Sequence, residues 1–101
     1  MENVSLSEGT RTRLNALFAE ADRGAAERLL VERCGSTLPF STPSSLERIR
    51  FAALKVSEGD LAALRSAVKL ANTDWRDLLV DAGFADDVDA HRAWFPRGHA
   101  A

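Results

Sequence analysis

Cysteine is nearly absent: Cys34 stands alone in 101 residues, so no intrachain disulfide can form and a reducing compartment is the expected setting. Tyrosine is missing altogether and β-branched residues are few, which removes the composition that strands favour. No apolar run exceeds four residues, as in Phe51-Ala52-Ala53-Leu54, far short of the ~20 that cross a bilayer. The start, Met1-Glu2-Asn3-Val4-Ser5, has acid where a secretory leader needs base. A cytoplasmic protein without membrane attachment is therefore expected. Glycines are isolated, so no phosphate-cradling loop is present, and neither a G-x-S-x-G elbow nor a calcium-loop pattern occurs. An excess of base is also lacking. Residues 1–50 balance seven bases with seven acids, and residues 51–101 set six bases against eight acids. Such a chain lacks the basic footprint that phosphate backbones attract.

What is present reads in helical period. The composition, 46% hydrophobic and 28% charged, suits one globular domain over residues 1–101, with frayed ends at 1–8 and 97–101. Eleven of the thirteen bases are arginine, which with abundant alanine predicts a GC-rich, bacterial gene. A first helix is expected from near Thr10, with Leu14, Leu17, Phe18 and Ala21 on one stripe. Asp22 reads as the N-cap of a second, which carries Ala26, Leu29, Leu30 and Cys34 inward and stops at Gly35. A loop over 36–43 holds two prolines, with Leu38 and Phe40 packing down on the core. Thr42-Pro43 then opens a third helix to about residue 56. That helix is apolar nearly all round and should be central.

Ser57 reads as the cap of a fourth helix, with Asp60 near its start and Leu61, Leu64, Val68 and Ala71 on its inner face. Thr73 or Asp74 caps a short fifth, with Trp75, Leu78, Leu79 and Ala82 inward and Gly83 as its stop. Asp86 opens a sixth, in which Val88, His91 and Trp94 or Phe95 share a face until Pro96. Hairpins starting near 10, 44 and 74 share no residues at a fixed period, so a compact all-α bundle of about six short helices is expected, not a solenoid.

One cluster stands out chemically. Asp74, Asp77 and Asp81 fall at i, i+3 and i+7, and Asp86, Asp87 and Asp89 follow, with Arg76 the only base among them. Asp77 and Asp81 repel as an i,i+4 pair, and Asp81 lies near the negative end of a helix dipole. A solvated face with first-turn acids explains much of this. The functional reading is a docking surface formed by Asp74, Asp77, Asp81 and Asp87 for a basic protein partner, and a cation site with His91 has little support. His91, on an apolar face, reads as a hydrogen-bonded, partly buried structural residue, and Trp75 and Trp94 as core anchors. Cys34 reads as a small buried thiol, although its proximity to His91 stays open. No enzyme activity, metal or cofactor is expected. The alternative is a small helix-turn-helix DNA-binding regulator that uses Arg65 and Lys69, but its recognition helix would begin with Asp60, an acid facing phosphate. A homodimer is left open.

Overall fold

The computed structural model describes residues 6–34, 43–87 and 89–96. Of the loop expected over 36–43, residues 36–42 with Leu38, Phe40 and Thr42 lie outside them, as do Gly35, Val88, the end at 97–101 and residues 1–5 of the end expected to fray over 1–8; of that end, Leu6 is buried and Ser7 and Glu8 start α1. Among the described residues the chain is helical and strandless: α1 Glu8–Leu17, α2 Glu20–Arg33, α3 Pro43–Ser57, α4 Leu61–Ala82 and α5 Ala90–Ala93. No described helix is long and apolar enough to cross a membrane.

α1 starts earlier than its apolar stripe because Ser7 caps it. The Ser7 hydroxyl accepts from the Thr10 amide at 3.2 Å, satisfying one of the orphan donors of the first turn. The boundary with α2 differs from expectation. The break falls at Phe18 and Ala19, Ala21 is exposed, and Asp22 is a first-turn acid instead of a cap. No side chain caps α2 at its start. The corner is held from behind, where Arg23 donates to the carbonyls of Phe18 and Asn15 at 3.0 and 2.9 Å. Phe18 itself is buried. A long side chain reaching back across a corner leaves no short-range cap signature, which is why the periodic pattern ran through it.

α3 is central as expected. It packs against α1, α4 and α5, and Ile49, Phe51, Ala52, Ala53 and Leu54 are all buried. Each fully buried leucine, such as Leu30, Leu54, Leu64 and Leu78, contributes roughly 1.5–3 kcal/mol relative to exposure. α3 also carries the side chains that hold its neighbours' ends. Buried Arg50 donates to the Cys34 carbonyl at 3.0 Å, and Lys55 donates to the Ala82 carbonyl at 2.8 Å. Arg48 donates to the Phe84 carbonyl at 2.6 Å.

The turn between α3 and α4 corrects the expected cap. Ser57 ends α3, its hydroxyl donating to the Leu54 carbonyl and accepting from the Gly59 amide. The cap of α4 is Asp60, whose carboxylate accepts from the Ala63 amide at 3.0 Å. The expected fourth and fifth helices are one element, but the break between them is real. Asp74 has extended backbone (φ −155°, ψ 83°), and its carboxylate accepts from the Asp77 amide at 3.3 Å. Before the break, Asn72 and Thr73 donate to the carbonyls of Val68 and Lys69, competing with the helix's own ladder. α4 ends in a Schellman motif: Phe84 N–H donates to the Leu79 carbonyl and Gly83 N–H to that of Val80. Leu79 and Phe84, the hydrophobic pair of that motif, are both buried.

The expected sixth helix is a single turn, α5, that begins at Ala90 and not at Asp86. Its place is fixed by rings. His91 meets Phe51 edge-on at 5.1 Å, and Trp94 lies 6.3 Å from Phe51 and 6.2 Å from Phe84. Arg13 of α1 donates to the carbonyls of Trp94, Gly9 and Arg92 at 2.9, 3.0 and 3.2 Å. Its guanidinium sits 4.2 Å from the Phe51 ring centroid and 4.1 Å from that of Phe95.

Candidate functional site

The acidic face is built on the outer side of the second half of α4. Leu78, Leu79 and Ala82 point into the core, which turns Asp77, Val80 and Asp81 outward. Asp74, Asp77, Asp81, Asp86 and Asp87 are all exposed, and among the described residues no basic side chain lies within ion-pair distance of their carboxylates. Arg76 does not neutralise them: its guanidinium lies 5.2 Å from the Trp75 ring centroid. Amid this acid Val80 is 61% exposed.

The four acids singled out from sequence do not share one role. Asp74 caps the second half of α4, and Asp87 holds the turn before α5 by accepting from the Asp89 amide at 2.9 Å. Asp89 pairs with Arg92 at 3.5 Å, both well exposed. Among the described residues the carboxylates of Asp77 and Asp81 have no such local task.

His91 is more buried and less bonded than expected. It is 1% exposed, and neither ring nitrogen has a hydrogen-bond partner among the described residues. Its Nε2 lies 3.7 Å from Glu47 Oε1, beyond hydrogen-bond length, while the Ser7 hydroxyl donates to Glu47 Oε2 at 2.7 Å. The carboxylate therefore stands between hydroxyl and imidazole, the reverse of the order in which a histidine would activate a serine. Burial pushes the His91 pKa down; Glu47 opposes that shift, and Arg92 and Arg48 reinforce it.

The linkage follows from that direction. With its folded pKa below the ordinary 6.5, His91 binds a proton more readily in the unfolded chain. Its contribution to stability is complete above pH 6.5 and is lost as pH falls from there towards the folded value. Chemical denaturation should show stability falling on acidification by up to about 1.4 kcal/mol per pH unit in that window. His91→Leu, which takes no proton, should flatten the profile there.

Cys34 is fully buried, and burial raises its thiol to about 11 against the opposing pull of Arg50. At neutral pH it is a protonated packing group and not a nucleophile. Among the described residues no group of three or more His, Cys, Asp and Glu side chains could hold a metal ion.

Sequence reasoning did not locate an open groove of about 890 Å³ between α2 and α4. Leu29 and Val68 give it apolar lining, and its charged side chains are the bases Arg33, Arg65 and Lys69 and the acid Glu32. Arg65 and Lys69 were legible as an i,i+4 pair. Arg33 joins them only through the packing of α2 on α4, supported by the Asn72 amide donating to the Arg33 carbonyl. Comparison with known proteins finds no matching family model, no similar curated protein and no similar solved structure.

Proposed function

We propose that this chain is a non-enzymatic protein-interaction module that docks a basic partner through the outer face of α4, with Asp77 and Asp81 as its charged contacts. The observation that carries this reading is the pair of exposed carboxylates without a cation among the described residues, flanking the 61% exposed Val80. Keeping Asp77 and Asp81 one turn apart costs a few tenths of a kcal/mol in an isolated helix. That cost is offset when a cationic surface meets them. Asp74 and Asp87 border the face, and their carboxylates also serve the chain's own turns.

A second reading rests on the groove. Arg33, Arg65 and Lys69 form a small basic edge, offset in part by Glu32 in the same groove, that fits a DNA-binding regulator better than the two α4 residues alone. Against it, α4 begins with Asp60 as a cap followed by Leu61 and Ala62, and the α3–α4 turn is packed on the end of α1. One experiment weighs both. Tagged protein is used for a lysate pull-down with and without nuclease, beside Asp77→Lys/Asp81→Lys. A protein that presents a basic surface, an untagged copy of this chain included, retained by the parent, released by moderate salt and absent from the folded variant is the expected result. Partner retention undiminished in the variant would sink the acidic-face reading. Nucleic acid recovered without nuclease, and no protein, would favour the groove.

A further inference from the structure

Four of the six charged residues of α4 are placed symmetrically about Thr73, the other two being Asp74 at the break and Arg76, which lies against the Trp75 ring. Arg65 and Lys69 precede Thr73 by eight and four residues, and Asp77 and Asp81 follow it by four and eight. All four are exposed. Steps of four residues form the ridges along which helices most often pack in globular proteins. Both halves keep a common inward side across the break at Asp74, because Leu64, Ala67, Val68 and Ala71 before it and Leu78, Leu79 and Ala82 after it are all buried. The charged rows therefore share the outward side.

A second α4 laid antiparallel along this ridge sets Lys69 beside the partner's Asp77 and Arg65 beside the partner's Asp81. Two-fold symmetry repeats both pairings, so the contact closes on itself. The surfaces suit each other in a second respect. Arg65 and Lys69 border a groove where half-buried Leu29 offers apolar surface beside the single acid Glu32, and the acidic half carries the exposed Val80. We propose that the partner of the acidic face is a second copy of this chain, each copy presenting Asp77, Val80 and Asp81 to the Arg65–Lys69 edge of the other. This rests on the docking role given above to Asp77 and Asp81 and names the basic surface they meet. A foreign basic partner would compensate only the acidic row, whereas a second copy compensates both rows in one contact.

Exposed ion pairs are individually weak and screened by salt, so the dimer forms at low ionic strength and dissociates as salt is raised. Sedimentation equilibrium of the full chain tests it, with Asp77→Lys/Asp81→Lys and Arg65→Glu/Lys69→Glu as the reversed pairs and circular dichroism to verify folding. The wild-type chain should dimerise at low salt, and either reversal should weaken self-association roughly tenfold or more. An equimolar mixture of the two reversed chains should restore the dimer, since each then carries the row the other lacks. That restoration requires both variants to be folded.

A wild-type chain that stays monomeric at low salt would overturn the dimer. So would a dimer that either folded reversal leaves unchanged. The docking reading is judged separately by the pull-down: a monomer that still captures a basic protein through Asp77 and Asp81 removes the second copy as partner and leaves that face intact.

Discussion

Arg13→Ala is expected to destabilise the protein by about 3–4 kcal/mol and to release the segment that carries α5. Arg13 is 6% exposed, and three of its nitrogens donate to backbone carbonyls of Gly9, Arg92 and Trp94. Burial lowers its pKa, with Glu47 acting in the opposite sense. Truncation removes three charge-assisted hydrogen bonds and leaves carbonyls on both sides of the α1–α5 contact short of a donor. It also empties the space between the Phe51 and Phe95 rings, each about 4 Å from the guanidinium carbon. For a chain of this size the midpoint of thermal unfolding should fall by roughly 15–25 °C. In a Trp75→Phe background, Trp94 emission should shift to the red before global unfolding. Arg13→Lys should not rescue, because an ammonium cannot reach three carbonyls and stack between two rings. A variant melting within a few degrees of the parent would show that the rings alone hold α5.

Gly59→Ala should cost about 2–4 kcal/mol, from two causes that act together. The first is conformational: Gly59 has φ +84°, where a side chain is strained, and it follows Glu58 at φ +52°. The second is steric. A Cβ on Gly59 would lie 2.5 Å from the Leu17 carbonyl oxygen, a backbone atom at the end of α1. Relief requires the α3–α4 turn to lift away from α1, which would disturb the packing of Leu14 and Phe18. Gly83 provides the control. Its φ is +80°, but its nearest neighbour is the movable Lys55 ammonium at 3.7 Å. Gly83→Ala should therefore cost only about 1 kcal/mol. Equal losses in urea titrations of the two variants would mean that the close approach of Gly59 to Leu17 has no energetic weight.

These two positions show where local reasoning stopped. Gly59 was legible as a break between helices, and the conformation it adopts is one that glycine signals. The carbonyl it leans on belongs to a residue 42 positions away in sequence, so the size of the penalty was not legible. Arg13 gave no signal at all. It sits three residues after Thr10 in a helix whose polar residues look solvent-facing, yet it is buried because the segment after α5 folds over it. The candidate site divides the same way. The acids of α4 and the capping role of Asp74 could be read from spacing, whereas the exposure of Val80 and the addition of Arg33 to Arg65 and Lys69 depend on how α2 and α4 lie.

Periodicity alone was enough to make this chain all-helical, to put Phe51 to Leu54 at its centre, and to place breaks at Gly59, Asp74 and Gly83. Those features depend on residues within a turn or two of one another, where apolar spacing, caps and left-handed glycines act directly on the backbone. Tertiary structure decided the corner at Phe18 and Ala19, the shortening of α5 to one turn, and the burial of His91 beside Glu47. In each of these the deciding partner is a long side chain or a ring brought in by folding: Arg23 reaching back over the corner, Arg13 taking the carbonyls of the last segment, and Phe51 and Phe84 closing around the imidazole. Contacts of that kind outweigh local preference because the arginines satisfy backbone carbonyls and the rings exclude water, and their cause lies many residues away along the chain.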